Sequence, residues 1–307
     1  MGRAKELLKA TGILAFGRAC TQLISFFLLP LYTAVLNPSE YGTFDLLNTV
    51  VSLLIPVVGW QCDQGVFRFL LDHRRSIEFQ KTVISSLFLV GVAQCAMYLI
   101  IAAVVLNLFW TEYWVFLAIS LVLNIFMALL LQISRGLGHN EIYAIGGFLS
   151  GVLTIVLNVA FLIVWPMGIW GLLWALMIAQ FVTVVYLLAA LRLWSFFSFR
   201  AWNANVAKRI IAYSLPLVPN SLCWWIINMA GRLIISLVLG AAQNGIFSVA
   251  SKFSAAFIQA YNVFNLSWSE SVSLHSKDED ADSFFSNVVG TAMCVFSLMC
   301  SVILLLI

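Results

Sequence analysis

The sequence predicts an all-α polytopic membrane protein. Three observations favour this class: an apolar composition, a series of apolar stretches of spanning length, and a one-sided distribution of positive charge. Of the 307 residues, 63% are hydrophobic and 9% are charged, whereas a water-soluble domain has about 25% charged residues. Lipid is therefore the expected solvent, and a backbone in lipid satisfies its own hydrogen bonds best as helices.

Nine stretches have the length of about 20 mostly apolar residues that a spanning helix requires. The first follows a short basic amphipathic run with no cleavage signal, so we interpret it as a retained span. The last ends inside an apolar run, which predicts that further spans are missing from the C-terminus. The predicted spans are 10–35, 43–69, 82–109, 113–134, 142–165, 169–191, 210–238, 245–268 and 284–307.

The positive charges indicate the orientation, because cytoplasmic loops carry an excess of Lys and Arg. Thirteen of the 16 Lys and Arg residues fall on one side if the spans alternate. The opposite connectors, NPSEYG, WTEY, WPMG and GAAQNG, contain none. We therefore expect a multi-pass protein with a cytoplasmic N-terminus.

Two outer connectors repeat one another. LNPSEYGTFDLL at 36–47 aligns with LGAAQNGIFSVA at 239–250, and the identities include Gly42 and Gly245, to which we assign a turn. Six spans separate the copies, so both halves have the same orientation, as in transporters built from parallel repeats. The second lobe then lacks about three spans of its six. The predicted domains are a first six-helix lobe at 1–192, an interfacial cytoplasmic linker at 193–209 and the first three helices of a second lobe at 210–307.

Three cations, Arg18, Arg232 and Lys252, fall inside predicted spans. A cation near the bilayer centre costs at least about 2.5–3.5 kcal/mol, so each should face protein or water. We interpret Arg18, Arg232 and Lys252 as lining a cationic cavity that binds an anionic substrate, with Asp45 as a weaker member. The alternative is internal ion pairing, in which Asp45 on the second span is the partner of Arg232.

Asp63 and Arg68 lie five residues apart on the second predicted span. We expect local contacts between them near the inner end of that span. Asp45 and Asp63 both fall toward span ends, so the charges expected at mid-depth are positive.

The sequence shows no assembled catalytic or metal site. Its six cysteines form no C-x-x-C pair, and no H-E-x-x-H, G-x-S-x-G or phosphate-binding loop is present. We expect no enzymatic activity and no cofactor or metal. A membrane-bound polysaccharide polymerase or glycosyltransferase is the alternative from another class, although the outer connectors are short for one.

Four segments carry a resemblance to a known family. They are the run at 7–47 with its L-x-P-x-E-Y-G-x-F motif, LQISRGLGHNEIYAIGGFLSGVLTIVLNVAFL at 131–162, GIWGLLWA at 168–175 and GRLIISLVLGAAQNGIFSVASK at 231–252. In order and spacing they resemble the polysaccharide-biosynthesis (O-antigen and exopolysaccharide) flippases. That family is part of the multidrug/oligosaccharidyl-lipid/polysaccharide exporter superfamily.

The resemblance implies a two-lobed transporter of repeated six-helix units around a cavity that opens alternately to either side. It implies a polyprenyl-pyrophosphate-linked glycan as cargo, for cell-surface polysaccharide synthesis at the bacterial cytoplasmic (inner) membrane. Besides the lipid bilayer, a polysaccharide polymerase and other assembly proteins are the implied partners, and no nucleic acid is. A cation-coupled drug or metabolite exporter of the same fold is the alternative; the mid-depth cations favour an anionic cargo.

Overall fold

The computed structural model describes residues 28–73, 76–108, 112–252 and 281–306, and within 253–261 residues 254, 257–258 and 261. Within these ranges the regular secondary structure is helical and no strand occurs. The helices are α1 (Leu29–Val35), α2 (Pro38–Gly59), α3 (Cys62–Asp72), α4 (Ile77–Leu108), α5 (Trp114–Gly136), α6 (Asn140–Val159, followed by a π-helical turn at Ala160–Val164), α7 (Ile169–Ala190), α8 (Leu193–Phe196), α9 (Ala204–Ser214), α10 (Leu217–Val238), α11 (241–252) and α12 (Ala281–Leu306).

Six segments are long and apolar enough to cross a membrane, judged by length and composition. They correspond to the second to seventh predicted spans, and α12 covers the ninth. The first and eighth predicted spans lie mostly outside the described residues. The all-α membrane class is therefore confirmed, and the count of nine spans stays a prediction. The six segments are Pro38–Gly59, Ile77–Val104, Trp114–Gly136, Asn140–Val164, Ile169–Ala190 and Ala204–Val238.

The chain forms two compact units, which divide between Ile246 and Phe247. The first unit contains α1 to α10, and the second contains α12. The lobes predicted at 1–192 and from 210 onward, with the linker at 193–209, describe a duplication of sequence, and they stay a prediction.

The helix observed at the second predicted span, 43–69, has different bounds from those predicted. It begins at Pro38, because Asn37 caps the helix: the Asn37 side chain accepts from the Glu40 backbone N–H at 2.8 Å, and the Glu40 carboxylate accepts from the Asn37 N–H at 3.1 Å. The span is then interrupted by Trp60 and Gln61, whose φ angles are 50° and 54°. Left-handed backbone at two consecutive non-glycine residues ends α2 and allows α3 to start in a new direction.

Packing inside the first unit is concentrated in two apolar clusters. One is centred on Leu70 of α3, Leu130 of α5 and Leu187 of α7, all of which are fully buried. The other includes Phe116 of α5 and Leu173 of α7. Because lipid supplies no water to exclude, this close side-chain packing is what holds spanning helices together.

The predicted linker is fixed to the helices of the first unit. The buried hydroxyl of Ser85 on α4 accepts from the Ser198 backbone N–H at 3.0 Å, and that of Ser86 accepts from the Asn203 N–H at 3.1 Å. These bonds satisfy backbone groups that lie between α8 and α9, so this connection follows a defined path along α4.

We expect Leu130→Ala to lower the free energy of unfolding by about 2 kcal/mol, because the truncation leaves a cavity and the neighbouring side chains lose packing contacts. This value is the low end of the range for a buried leucine, since in lipid the exclusion of water contributes little. Ile101→Ala on α4 is the control, since Ile101 is 52% exposed. Melting temperatures of both variants in one detergent measure the difference. Equal melting temperatures would contradict the assigned core.

Candidate functional site

The site is an ion pair between two of the predicted residues. Asp45 lies two turns into α2, and Arg232 lies near the C-terminal end of α10. The Arg232 Nη1 atom donates to Asp45 Oδ1 at 2.7 Å, and the two side chains are 16% and 8% exposed. The partner that the sequence suggested for Asp45 is therefore confirmed. Whether either residue binds substrate stays a prediction.

A second contact explains how the pair is positioned. Trp225, seven residues before Arg232 on α10, donates through Nε1 to the Ser52 hydroxyl at 2.9 Å. Ser52 in turn lies seven residues after Asp45 on α2. Seven residues are about two helical turns, so each pair of residues shares one helix face. The reversed order of the contacts shows that α2 and α10 run antiparallel and face each other over these two turns.

Gly42 and Gly245, the two glycines of the predicted repeat, meet where α2 begins and α10 ends. A side-chain carbon added to Gly42 would overlap the carbonyl oxygen of Ala241, and one added to Gly245 would overlap that of Pro38. The start of α2 thus crosses the start of α11 in backbone contact. Only glycine permits such an approach, as at the small-residue crossings of other membrane helices.

This contact corrects the role predicted for the glycines. Gly42 and Gly245 lie inside helices, and the turn before α11 is made by Gly240, whose φ is 96°. Asn244 is fully buried and donates its side-chain amide to the Gly42 carbonyl at 3.0 Å. The repeat stays a prediction, but its two glycines serve helix packing and not the turn.

The polar groups of the site are not all satisfied. Asp45 Oδ2 and Asn244 Oδ1 are buried and accept no hydrogen bond from any residue that the structure describes. A buried acceptor without a donor costs about 1–3 kcal/mol. The Asp45 carboxylate is therefore held to Arg232 by one of its oxygens while the other can accept a further donor.

The other predicted site residues are placed as follows. Arg18 lies outside the described residues. Lys252 is in α11, in the second compact unit, where it is partly buried. The predicted cavity that joins Arg18, Arg232 and Lys252 stays a prediction.

The contact expected between Asp63 and Arg68 is wrong. Arg68 instead pairs with Asp72, one turn further along α3, at 3.4 Å, and both side chains are exposed. Asp63 accepts from the Gln64 side-chain amide at 2.8 Å. Both residues lie on α3, where a spacing of five residues separates two side chains by about 140° around the helix axis, whereas Arg68 and Asp72, four residues apart, share one face.

Two residues of the site were missed from the sequence. The signal for Trp225 was its position two turns before Arg232. In an apolar span, that position does not distinguish it from aromatic residues that face lipid. Asn244 was signalled by its alignment with Tyr41 in the repeat. Neither signal indicates a partner without knowledge of which helices are neighbours.

Solved structures of MATE transporters have a similar fold. The inward-facing conformation of a multidrug resistance MATE family transporter of the MOP superfamily superposes with a TM-score of 0.61 and 15% identity, over 80% of this chain and 62% of that one. MATE in the straight conformation gives 0.56 and 17%, over 82% and 60%, and MATE in complex with Br-NRF gives 0.56 and 18%, over 83% and 64%. The chain therefore spans less than two thirds of these structures. It is a multi-pass membrane protein with the fold of MATE transporters.

The family follows from the sequence itself. The model of a family described as polysaccharide biosynthesis protein matches residues 7–268. The chain belongs to this polysaccharide biosynthesis protein family, as the motif resemblance predicted. No curated protein sequence matches the chain.

We expect Asp45→Ala and Arg232→Ala each to destabilise the protein by about 3–5 kcal/mol, because each leaves its partner as an uncompensated buried charge. The double variant should cost less than the sum of the two. Unfolding measured in detergent for the wild type, both single variants and the double variant gives the coupling energy. Additive losses would contradict an energetic pair.

We also expect Gly42→Ala to destabilise the protein by about 1–3 kcal/mol, since the added methyl group forces the crossing helices apart. Gly147→Ala on α6 is the matched control, because no atom lies within 4 Å of the added carbon. The comparison needs only thermal unfolding in detergent. If both variants melt together, the crossing is not tightly packed.

Proposed function

We propose that the protein is a flippase that moves a polyprenyl-pyrophosphate-linked oligosaccharide across the cytoplasmic (inner) membrane by alternating access, with its N-terminus in the cytoplasm. The family supports a place in polysaccharide biosynthesis. The fold supports transport, because its helices are arranged as in MATE transporters. The proposed process is cell-surface polysaccharide synthesis, and no enzymatic step is assigned to the chain.

The observation that carries the cargo class is the partly buried guanidinium of Arg232, whose side chain is 16% exposed. A guanidinium offers five donors in a planar fork that fits carboxylates and phosphates alike. In the structure a single oxygen of Asp45 takes the contact at 2.7 Å. A diphosphate brings more negative charge and more acceptor oxygens, so we propose that it displaces Asp45 from Arg232.

Displacement of Asp45 connects binding to movement. The pair joins α2 to α10 near their outer ends, next to the contact between Gly42 and the start of α11. A headgroup that takes Arg232 from Asp45 removes one of the bonds that hold these outer ends together. We propose that this loss favours opening of the outer side, and that Arg18 and Lys252 provide further contacts to the headgroup.

A flipping assay tests the proposal. The complete protein is reconstituted in liposomes with a fluorescent polyprenyl-pyrophosphate-linked sugar, and a membrane-impermeant quencher reports the label that reaches the other leaflet. Wild type should move the label, and Arg232→Ala should slow it at least about tenfold, which is about 1.4 kcal/mol of lost interaction. Arg232→Lys keeps the charge without the fork and should fall between the two.

The controls separate cargo binding from stability. Arg200→Ala removes an exposed cation outside the site and should flip at the wild-type rate. Asp45→Asn should lower the apparent KM for the cargo, because it weakens the competitor for Arg232. Wild-type flipping by a folded Arg232→Ala variant would overturn the proposed role of Arg232, and no flipping by the wild type would overturn the function.

A further inference from the structure

Helix α9 has one face packed against the first unit and one exposed basic face. Ala207 and Ile210 are buried, and a side-chain carbon added to Gly65 of α3 would overlap Ile210. Lys208 and Arg209 lie on the other side of the helix and are exposed. The apolar side of this amphipathic helix is therefore already covered by protein, and its basic side can contact a partner.

No carboxylate compensates this basic face within the described residues. The sequence from 142 to 269 contains no Asp or Glu. Neither of the two salt bridges that the structure describes involves Lys208 or Arg209. On α3, which packs against α9, the exposed Asp72 is paired with Arg68 at 3.4 Å. The charge of the α9 face therefore suits an anionic partner.

Two helix lengths place α9 at the level of lipid headgroups, because the hydrocarbon core of a bilayer is about 30 Å thick. Helix α10 follows α9 and has 22 residues, so it crosses that core by itself. On α4, the Ser86 hydroxyl accepts at 3.1 Å from the backbone N–H of Asn203, which caps α9. From Leu87 to Leu108, the rest of α4 also spans about 33 Å. The start of α9 thus lies at the edge of the core.

Two exposed tryptophans support the same level. Trp202 directly precedes the capping Asn203 and is 42% exposed, and Trp194 in α8 is 68% exposed. Tryptophan is enriched where a membrane meets water, because its ring is apolar and its N–H is polar. Both residues belong to the connection that Ser85 and Ser86 hold against α4. Aromatic rings and cations therefore occur together in this layer.

We propose that the exposed face of α9 binds the phosphate groups of anionic lipids of the surrounding bilayer, through Lys208 and Arg209. Cations close to a membrane surface are attracted to its anionic lipids. Arg209 can hold a phosphate with two parallel bonds, and Lys208 adds a compact charge beside it. Arg232, the proposed cargo contact, lies near the opposite end of α10. The lipid site is thus separate from the proposed cargo site.

A lipid titration tests the proposal. The complete protein, purified in dodecyl maltoside without cargo, receives dioleoyl phosphatidylglycerol or dioleoyl phosphatidylcholine, and its melting temperature is followed. The anionic phosphatidylglycerol should raise the melting temperature at a lower mole fraction, and added salt should reduce this preference. Lys208→Gln with Arg209→Gln should need at least about tenfold more phosphatidylglycerol for the same rise. Lys208→Arg with Arg209→Lys keeps both charges and is the matched control, which should respond like the wild type.

Asn205→Glu provides a second variant in case the double Gln variant does not fold. Asn205 is exposed in the first turn of α9, where the helix dipole favours an acidic side chain, so the helix should be retained. The added negative charge should weaken the effect of phosphatidylglycerol and leave that of phosphatidylcholine unchanged.

Three results would overturn the proposal. The first is equal stabilisation of the wild type by the two lipids, and the second is a wild-type response of the folded Gln and Glu variants to phosphatidylglycerol. The third is the same stabilisation by sodium phosphate without lipid, because the face then binds free phosphate. The measurements use no cargo, so they succeed or fail independently of flipping.

Discussion

A charge inside a membrane must be compensated by another group, and the rest of this structure is arranged around that constraint. Arg232 and Asp45 satisfy it for each other at 2.7 Å. Their contact requires α10 to run antiparallel to α2, with Trp225 and Ser52 in contact two turns away. A buried pair of this kind is weak evidence for stability, since apolar packing often serves equally well. The proposed exchange of Asp45 for a substrate anion would give the pair a role besides stability.

The contact between the starts of α2 and α11 matches the predicted duplication. Gly42 and Gly245 occupy equivalent positions in the predicted repeat, and in the structure they lie against each other's helix. Equivalent residues that meet in this way are expected where two related halves approach across an approximate twofold relation. The Asp45–Arg232 pair, one turn further in, has no copy in the repeat. The packing contact is thus shared by the two halves, while the charge is particular to one side.

Two carboxylates on neighbouring helices meet the same constraint differently. Asp45 has a guanidinium partner from α10. Asp63, near the start of α3, accepts from the neutral side-chain amide of Gln64 at 2.8 Å. A cation therefore holds the first carboxylate, and a neutral amide holds the second.

The sequence by itself determined the membrane class, the second to seventh spans and the partner of Asp45, because apolar length and a scarce buried charge are both visible along the chain. The tertiary structure alone decided where α2 ends and what role Gly42 has. Periodicity assumes a continuous helix, so it cannot foresee the break at Trp60 and Gln61. The sequence does not distinguish a glycine that permits a turn from one that permits a helix crossing, because the difference depends on which helix lies beside it.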